Sequence, residues 1–239
     1  MTTHLQIDFV SDIACPWCVI GLRALDMALA KVAGDITADI HFQPFELNPS
    51  MGSEGQDITE HITEKYGISV EQANANRENI RKRGAELGFT FTKSDEPGGG
   101  RNRVYNTFDA HRLLHWAELE DAEARAEGSL GAADAGTTQK AFKHALFAAY
   151  FTDGKNLSNH NQLVKVASDV GLDPERALEI LKSDTFVAQV REREQFFQRH
   201  GINSVPAIII NQKHLISGGQ PPEVFEQALR QIAAQEAIV

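Results

Sequence analysis

Two side chains offer chemistry at once: Cys15 and Cys18, the only 2 cysteines in 239 residues. Pro16 and Trp17 separate them, in Ala14-Cys15-Pro16-Trp17-Cys18. Thiols at this spacing can close into a disulfide with each other, or take one from another molecule through a mixed disulfide. A thiolate starts that exchange, so the first sulfur needs a setting that favours its anion. The second must reach the first to release the bound partner. Cys15 is the candidate nucleophile and Cys18 the candidate resolving thiol.

The flanking segments supply the setting. Leu5-Gln6-Ile7-Asp8-Phe9-Val10 alternates apolar and polar residues and reads as a strand. Over about 16–33, Leu22, Leu25, Leu29 and Val32 share one face of a helix, with Gly34 as its stop. Cys15 caps this helix and Pro16 is its first residue, where the amide that proline lacks would have no intrahelical partner. The free amides of the first turn, that of Cys18 included, are expected to face the Cys15 sulfur. With the positive end of the helix they favour a thiolate. Ala38 to Phe45 reads as a second strand, ended by its proline, so the N-terminus is βαβ with a right-handed parallel crossover.

From about 57 to 183 the signal is nearly all helical. Val70 to Leu87, a helix from near Asn106 carrying Leu113, Leu114 and Trp116, Ala141 to Phe151, Asn161 to Val170 and a helix opened by Asp173-Pro174-Glu175 follow in turn. Lys93 to Gly100 and Glu127 to Gln139 read as loops. A helix over 185–200 leads to Gly201. Then come the wholly apolar Ala207-Ile208-Ile209-Ile210, a buried strand, and His214-Leu215-Ile216 beside it. Pro221-Pro222-Glu223 opens a last helix. The βαβ and ββα halves make an α/β, thioredoxin-like fold with a large all-helical insertion between them. The expected division is a discontinuous thioredoxin-like domain, 1–50 and 185–239, around a helical domain, 51–184.

Ser204-Val205-Pro206 precedes the apolar strand. Proline is unusual at the start of a central strand because it cannot donate to the ladder. In thioredoxin-like folds the proline at this place is cis and faces the cysteine pair, leaving backbone free to dock an extended substrate. Val205 and Pro206, with Pro16 and Trp17 on the rim of the pair, are the expected substrate-binding residues.

The whole chain resembles the DsbA-like thioredoxin family, most of all its FrnE group of dithiol–disulfide oxidoreductases or isomerases. The residues that carry the resemblance are Phe9 to Cys18, Asn106 to Leu114, Leu146 to Phe151, Val205-Pro206-Ala207 and Ser217 to Glu223. It implies that Cys15 and Cys18 are the redox pair and Pro206 the cis-proline. The glycine- and alanine-rich stretch near 128–137 is longer than expected for the group. Related 2-hydroxychromene-2-carboxylate isomerases and kappa-class glutathione transferases share the helical insertion, but place a serine where Cys15 stands. A glutathione-dependent isomerase or transferase is therefore the alternative. A non-enzymatic holdase using the groove between sheet and helices is a third reading.

A formal charge of -10 and a pI near 5.4 argue against binding to nucleic acid or anionic membranes. No apolar run approaches the roughly 20 residues that span a bilayer, and Met1-Thr2-Thr3-His4 leads straight into a strand, without the pattern of a signal peptide. The expected home is the reducing cytoplasm, where a cysteine pair is catalytic rather than structural. Expected partners are thiol- or disulfide-containing proteins or small molecules, with glutathione as a co-substrate or reductant and no other cofactor. No metal is expected. His111 and His115 share a helix face, but their distance from Cys18 does not match a zinc-finger spacing. They read as surface or domain-interface residues. Gly98-Gly99-Gly100 lacks the spacing of a nucleotide loop. Arg101 and Arg103 read as solvated, and Arg191-Glu192-Arg193-Glu194 as an exposed helix face. Asp8 and Asp12 are alternative proton acceptors for Cys18, and the sequence does not choose between them.

Overall fold

A computed structural model describes residues 2–92, 103–128 and 137–236. In chain order, β1 (Thr3–Ser11) leads into α1 (Pro16–Val32) and β2 (Ile36–Pro44). The insertion begins with β3 (Gln56–Asp57), α2 (Ile58–Tyr66) and α3 (Val70–Glu86). After β4 (Arg103–Val104) come α4 (Phe108–Ala126) and α5 (Thr137–Phe147). A π-helical turn, Ala148–Thr152, continues α5 and is followed by α6 (His160–Asp169), α7 (Pro174–Lys182) and α8 (Val187–Arg199). The chain closes with β5 (Ala207–Ile210), β6 (His214–Ser217) and α9 (Pro222–Glu236).

The main sheet has the order β2-β1-β5-β6. β1 runs parallel to β2, with Thr3 opposite Ile36 and Ser11 opposite Pro44. β5 runs antiparallel to β1, so Val10 near the end of β1 faces Ala207 at the start of β5. The topology therefore puts the loop after β1 and the loop before β5 at one end of the two central strands. The first carries the cysteines and the second Pro206. The alternation of β1 buries Leu5, Ile7 and Phe9 fully, packed with Leu22 and Leu25 of α1 and Phe225 and Leu229 of α9.

The helices have their own apolar cluster, which includes Leu113, Leu114, Phe142, Leu146, Leu163 and Ile180. Local signals set several boundaries. The Asp57 carboxylate accepts the Thr59 and Glu60 amides at the start of α2, and Ser69 with Gln72 forms a reciprocal capping box on α3.

Other boundaries are set at a distance. α5 begins at Thr137, so Gln139 is helical and buried rather than part of a loop. The cause is Asp121 of α4, whose carboxylate accepts the Thr138 and Gln139 amides at 3.1 and 2.9 Å. The short β3–β4 pair also departs from an all-helical middle; two-residue strands carry no periodicity to read. The loop expected over Lys93 to Gly100, and most of the glycine- and alanine-rich stretch, lie outside the described residues.

Candidate active site

Cys15 caps α1 in an extended conformation, and Pro16 occupies the first turn. Both cysteines are free thiols and both are buried, Cys15 at 3% exposure and Cys18 at 0%. One expectation needs correcting. The Cys15 side chain accepts no bond from the helix amides, and the Cys18 amide donates to the Cys15 carbonyl at 3.0 Å. The Cys15 thiol turns instead to the other loop and donates to the Val205 carbonyl oxygen, 3.7 Å away. The Val205–Pro206 peptide bond is cis.

These loops meet tightly. A Cβ on Gly21 would come within 3.0 Å of Pro206 Cγ, and one on Gly219 within 2.9 Å of the Trp17 carbonyl oxygen. Gly218, at a φ of +81° that suits glycine, donates its amide to the Pro206 oxygen at 2.8 Å. The glycines thus let the turn after β6 hold both the proline loop and the start of α1. Trp17 is half-buried, with the Arg83 guanidinium 5.5 Å from its ring centroid. Pro16 and Val205 are likewise partly exposed, while Pro206 is buried.

Asp12 joins this end of the sheet to the insertion. Its carboxylate accepts from the Ala14 amide at 3.1 Å, the Leu47 amide at 2.6 Å and the Thr107 hydroxyl at 2.8 Å. His111 Nε2 stands 3.8 Å away, an ion-pair rather than a hydrogen-bond distance. Burial pushes the Asp12 carboxyl up, but His111, the Leu47 amide and the Thr107 hydroxyl outweigh it and hold it below the usual carboxylate value. Asp8, the other proton acceptor considered, accepts from Gln43 Nε2 at 2.7 Å.

Burial, and next the neighbouring Cys15, push the Cys18 thiol well above an ordinary cysteine; the charge of Lys143 and the Asp12 main chain oppose them. Lys143 of α5 is itself fully buried, with Nζ 4.9 Å from the Phe147 ring centroid and 5.9 Å from that of Phe42. Sequence reasoning missed Thr107 as a partner of Asp12 and Lys143 as a buried charge that acts on Cys18. The only signal for Lys143 was a lysine beside Phe142 and one turn before Leu146 and Phe147, on a face otherwise apolar.

The structure also places the other charged and histidine side chains that the sequence singled out. His111 is buried against Asp12, whereas His115 stacks edge-on against Phe186 and lies 3.6 Å from Glu118, so the two histidines serve separate partners. The Arg191–Glu194 segment is not an exposed face. Arg191 pairs with Glu46 and with the buried Glu194, and Arg193 pairs with Glu118 of α4. Arg191 and Glu194, three residues apart, lie on one face of α8, while Glu192 between them stays exposed. Arg103 is exposed, as expected, and donates to the Glu54 and Gly55 carbonyls; Arg101 lies outside the described residues.

Uncharacterized protein YwbO of Bacillus subtilis (strain 168) is 24% identical over 242 residues, covering 96% of each chain. Among solved structures, the probable DsbA oxidoreductase SCO1869 from Streptomyces coelicolor superposes with a TM-score of 0.81 at 30% identity, covering 98% of this chain and 91% of that one. The cytosolic disulfide reductase DsbM from Pseudomonas aeruginosa, solved with GSH, shares the fold with a TM-score of 0.57 at 14% identity, covering 95% and 98%. Residues 6–230 match the model of the DSBA-like thioredoxin domain, from within β1 to within α9. A match that runs through both halves of the sheet and the helical insertion between them makes the chain a member of the DsbA-like thioredoxin family.

Proposed function

We propose that this chain is a thiol–disulfide oxidoreductase in which Cys15 and Cys18 form the working dithiol–disulfide couple. The observation that carries this reading is the meeting of the Cys15 thiol with the Val205 carbonyl beside Pro206, with Cys18 buried behind it. Cys15 as thiolate attacks a substrate disulfide and forms a mixed disulfide, releasing one substrate thiol. Cys18 then attacks the Cys15 sulfur and releases the other. Two substrate sulfurs are reduced and two protein sulfurs oxidised; the reverse sequence donates the disulfide. Val205 and Pro206 dock the substrate backbone, and Pro16 and Trp17 border the bound segment. A substrate with mispaired disulfides that leaves before Cys18 reacts would be isomerised instead.

The exchange involves only protein and substrate sulfurs. Glutathione is the proposed co-substrate or reductant, which accords with the description of DsbM with GSH on the same fold. We place the protein in the cytoplasm, where reduced thiols prevail. No helix among the described residues is long and apolar enough to cross a membrane.

The test is a titration against defined glutathione buffers, with the Cys15–Cys18 state read by thiol alkylation and mass spectrometry. A single two-electron transition is expected. A potential near about -270 mV would make the chain a reductase, and one near about -120 mV an oxidant. In the same assay Cys15→Ser abolishes exchange and Cys18→Ser accumulates mixed disulfides. Failure to form the internal disulfide at any ratio, with a lasting glutathione adduct on Cys15, overturns this reading in favour of a glutathione-dependent isomerase or transferase.

A further inference from the structure

Thr107 stands at the start of α4, where the hydroxyl oxygen of a threonine would ordinarily accept an amide of its own first turn. It makes no such bond. Asn106 does part of that work instead, its Oδ1 accepting the Phe108 amide at 2.9 Å. Thr107, at 3% exposure, turns its hydroxyl away from the helix and donates to Asp12 Oδ1 at 2.8 Å. His111, one turn along α4, stands 3.8 Å from the same oxygen, and its Nε2 makes no hydrogen bond. Among the described residues, Thr107 is therefore the donor through which α4 holds this carboxylate.

The carboxylate in turn holds the backbone that carries the nucleophile. Oδ1 also accepts the Ala14 amide at 3.1 Å, and the Asp12 carbonyl accepts the Cys15 amide at 3.2 Å. These two bonds close the turn from β1 into α1. The two cysteines differ in what else fixes them. Cys18 lies inside α1 and is fully buried. Cys15 precedes the first helical residue, its side chain takes no bond from the helix, and its thiol reaches the Val205 oxygen only at 3.7 Å. The place of the Cys15 sulfur thus depends on the turn, and the turn on Asp12. The Ala14 and Leu47 amides belong to the loops that Asp12 joins. Thr107 belongs to a helix seated in the apolar cluster of the insertion through Ala110, Leu113 and Leu114, so it ties the turn to a fixed element.

We propose that Thr107 is a positioning residue for the dithiol couple, holding Cys15 through Asp12 where its sulfur meets that of Cys18 for ring closure. This rests on the dithiol reading above. In closure against glutathione disulfide, two cysteine S–H bonds and one glutathione S–S bond are exchanged for the internal S–S bond and two glutathione S–H bonds. The chain loses two electrons and two protons, and glutathione disulfide gains them. Thr107 exchanges neither. Its effect is on the effective concentration of one cysteine sulfur at the other, which falls when either sulfur is given more freedom.

The experiment titrates the wild-type chain and folded Thr107→Val, Thr107→Ser and Asn106→Ala variants against defined glutathione buffers, with the internal disulfide read by thiol alkylation and mass spectrometry. Valine keeps the shape of threonine but cannot donate. In Thr107→Val the equilibrium constant for the internal disulfide is expected to fall about 10-fold, which moves the potential about 30 mV toward the oxidant side. Thr107→Ser restores the donor and should return the constant to within about twofold of wild type. Asn106→Ala removes bonds to Phe108 and Glu46 but none to Asp12, so it should lower the unfolding midpoint and leave the constant in place. The proposal is overturned if folded Thr107→Val keeps the wild-type constant, if Thr107→Ser fails to restore it, or if Asn106→Ala lowers it as much. A second measurement needs no variant to fold. Hydrogen exchange at the Ala14 amide of the reduced wild-type chain should be slowed at least about 100-fold relative to an unstructured peptide, and exchange at the peptide rate overturns the proposal as well. A wild-type chain that forms no internal disulfide at any ratio would instead sink the dithiol reading, and the role of Thr107 with it.

Discussion

Around the sheet, the fully covered side chains are hydrocarbon: Leu5, Ile7 and Phe9 of β1, Leu22 and Leu25 of α1, Ile208 and Ile210 of β5. Where β1 and β2 end against α4, α5 and α8, the covered side chains include Asp12, Glu46, Thr107, His111, Lys143 and Glu194. Apolar burial of the first kind is non-directional and stabilises any arrangement that excludes water. Burial of the second kind is favourable only in one geometry, because each charge needs its partner in place. The sheet and α1 thus bury the sulfurs, while Asp12 ties the loop that leads to them to α4 through Thr107.

Substitutions on the two sides of this contrast should act differently, and the largest effect belongs to the seam. Asp12→Ala leaves two amides, a hydroxyl and His111 without their shared partner, and should cost about 3–5 kcal/mol of stability, measured by urea unfolding. A loss below that of an ordinary surface change would mean that the seam is not coupled as described. The same carboxylate predicts an acid limb. Its folded value is depressed, so its contribution is fully present above the unfolded value of about 3.9 and is lost as pH falls through the lower folded value. Unfolding free energy against pH should therefore drop below about pH 4, and less steeply in Asp12→Asn.

A smaller effect is expected where the loops meet. Gly219→Ala puts a methyl group 2.9 Å from the Trp17 oxygen, which is backbone and cannot swing aside. It should cost about 1–3 kcal/mol and also slow disulfide exchange, since it separates the Gly218 turn from α1. An Ala variant with unchanged exchange would show that the close approach matters for packing alone. The smallest effect belongs to Arg83→Ala, which removes the guanidinium over the Trp17 ring at a partly exposed site. Thermal unfolding should register about 0.5–1 kcal/mol, with exchange nearly unaltered.

Much of the sheet was legible because its signals are local. The alternation of Leu5, Ile7 and Phe9, the apolar run of Ala207 to Ile210 and the Pro16 helix start follow from one-dimensional spacing. Each element agrees with the structure within a few residues. The start of α5 was not legible, because the carboxylate that receives its first amides comes from Asp121 on another helix. The direction of the Cys15 thiol was missed for a related reason. Helix geometry alone pointed it at its own amides, whereas the antiparallel pairing of β1 with β5 brings the Val205 carbonyl within reach. Arg191 to Glu194 looked like solvated charge until the partners Glu46 and Glu118 were seen across the seam.

By itself, the sequence determined the two-thiol motif, the strand–helix junction that carries it, the proline before β5 and the order of sheet and helical segments. All of these depend on residue type and spacing along the chain. Only the tertiary structure decided what meets the loop that carries the sulfurs. Asp12 lies at the end of β1, Thr107 and His111 at the start of α4 and Lys143 on α5, and their placement depends on how the insertion docks on the sheet. A charge acts through distance and burial, and neither is written in the local pattern of a chain.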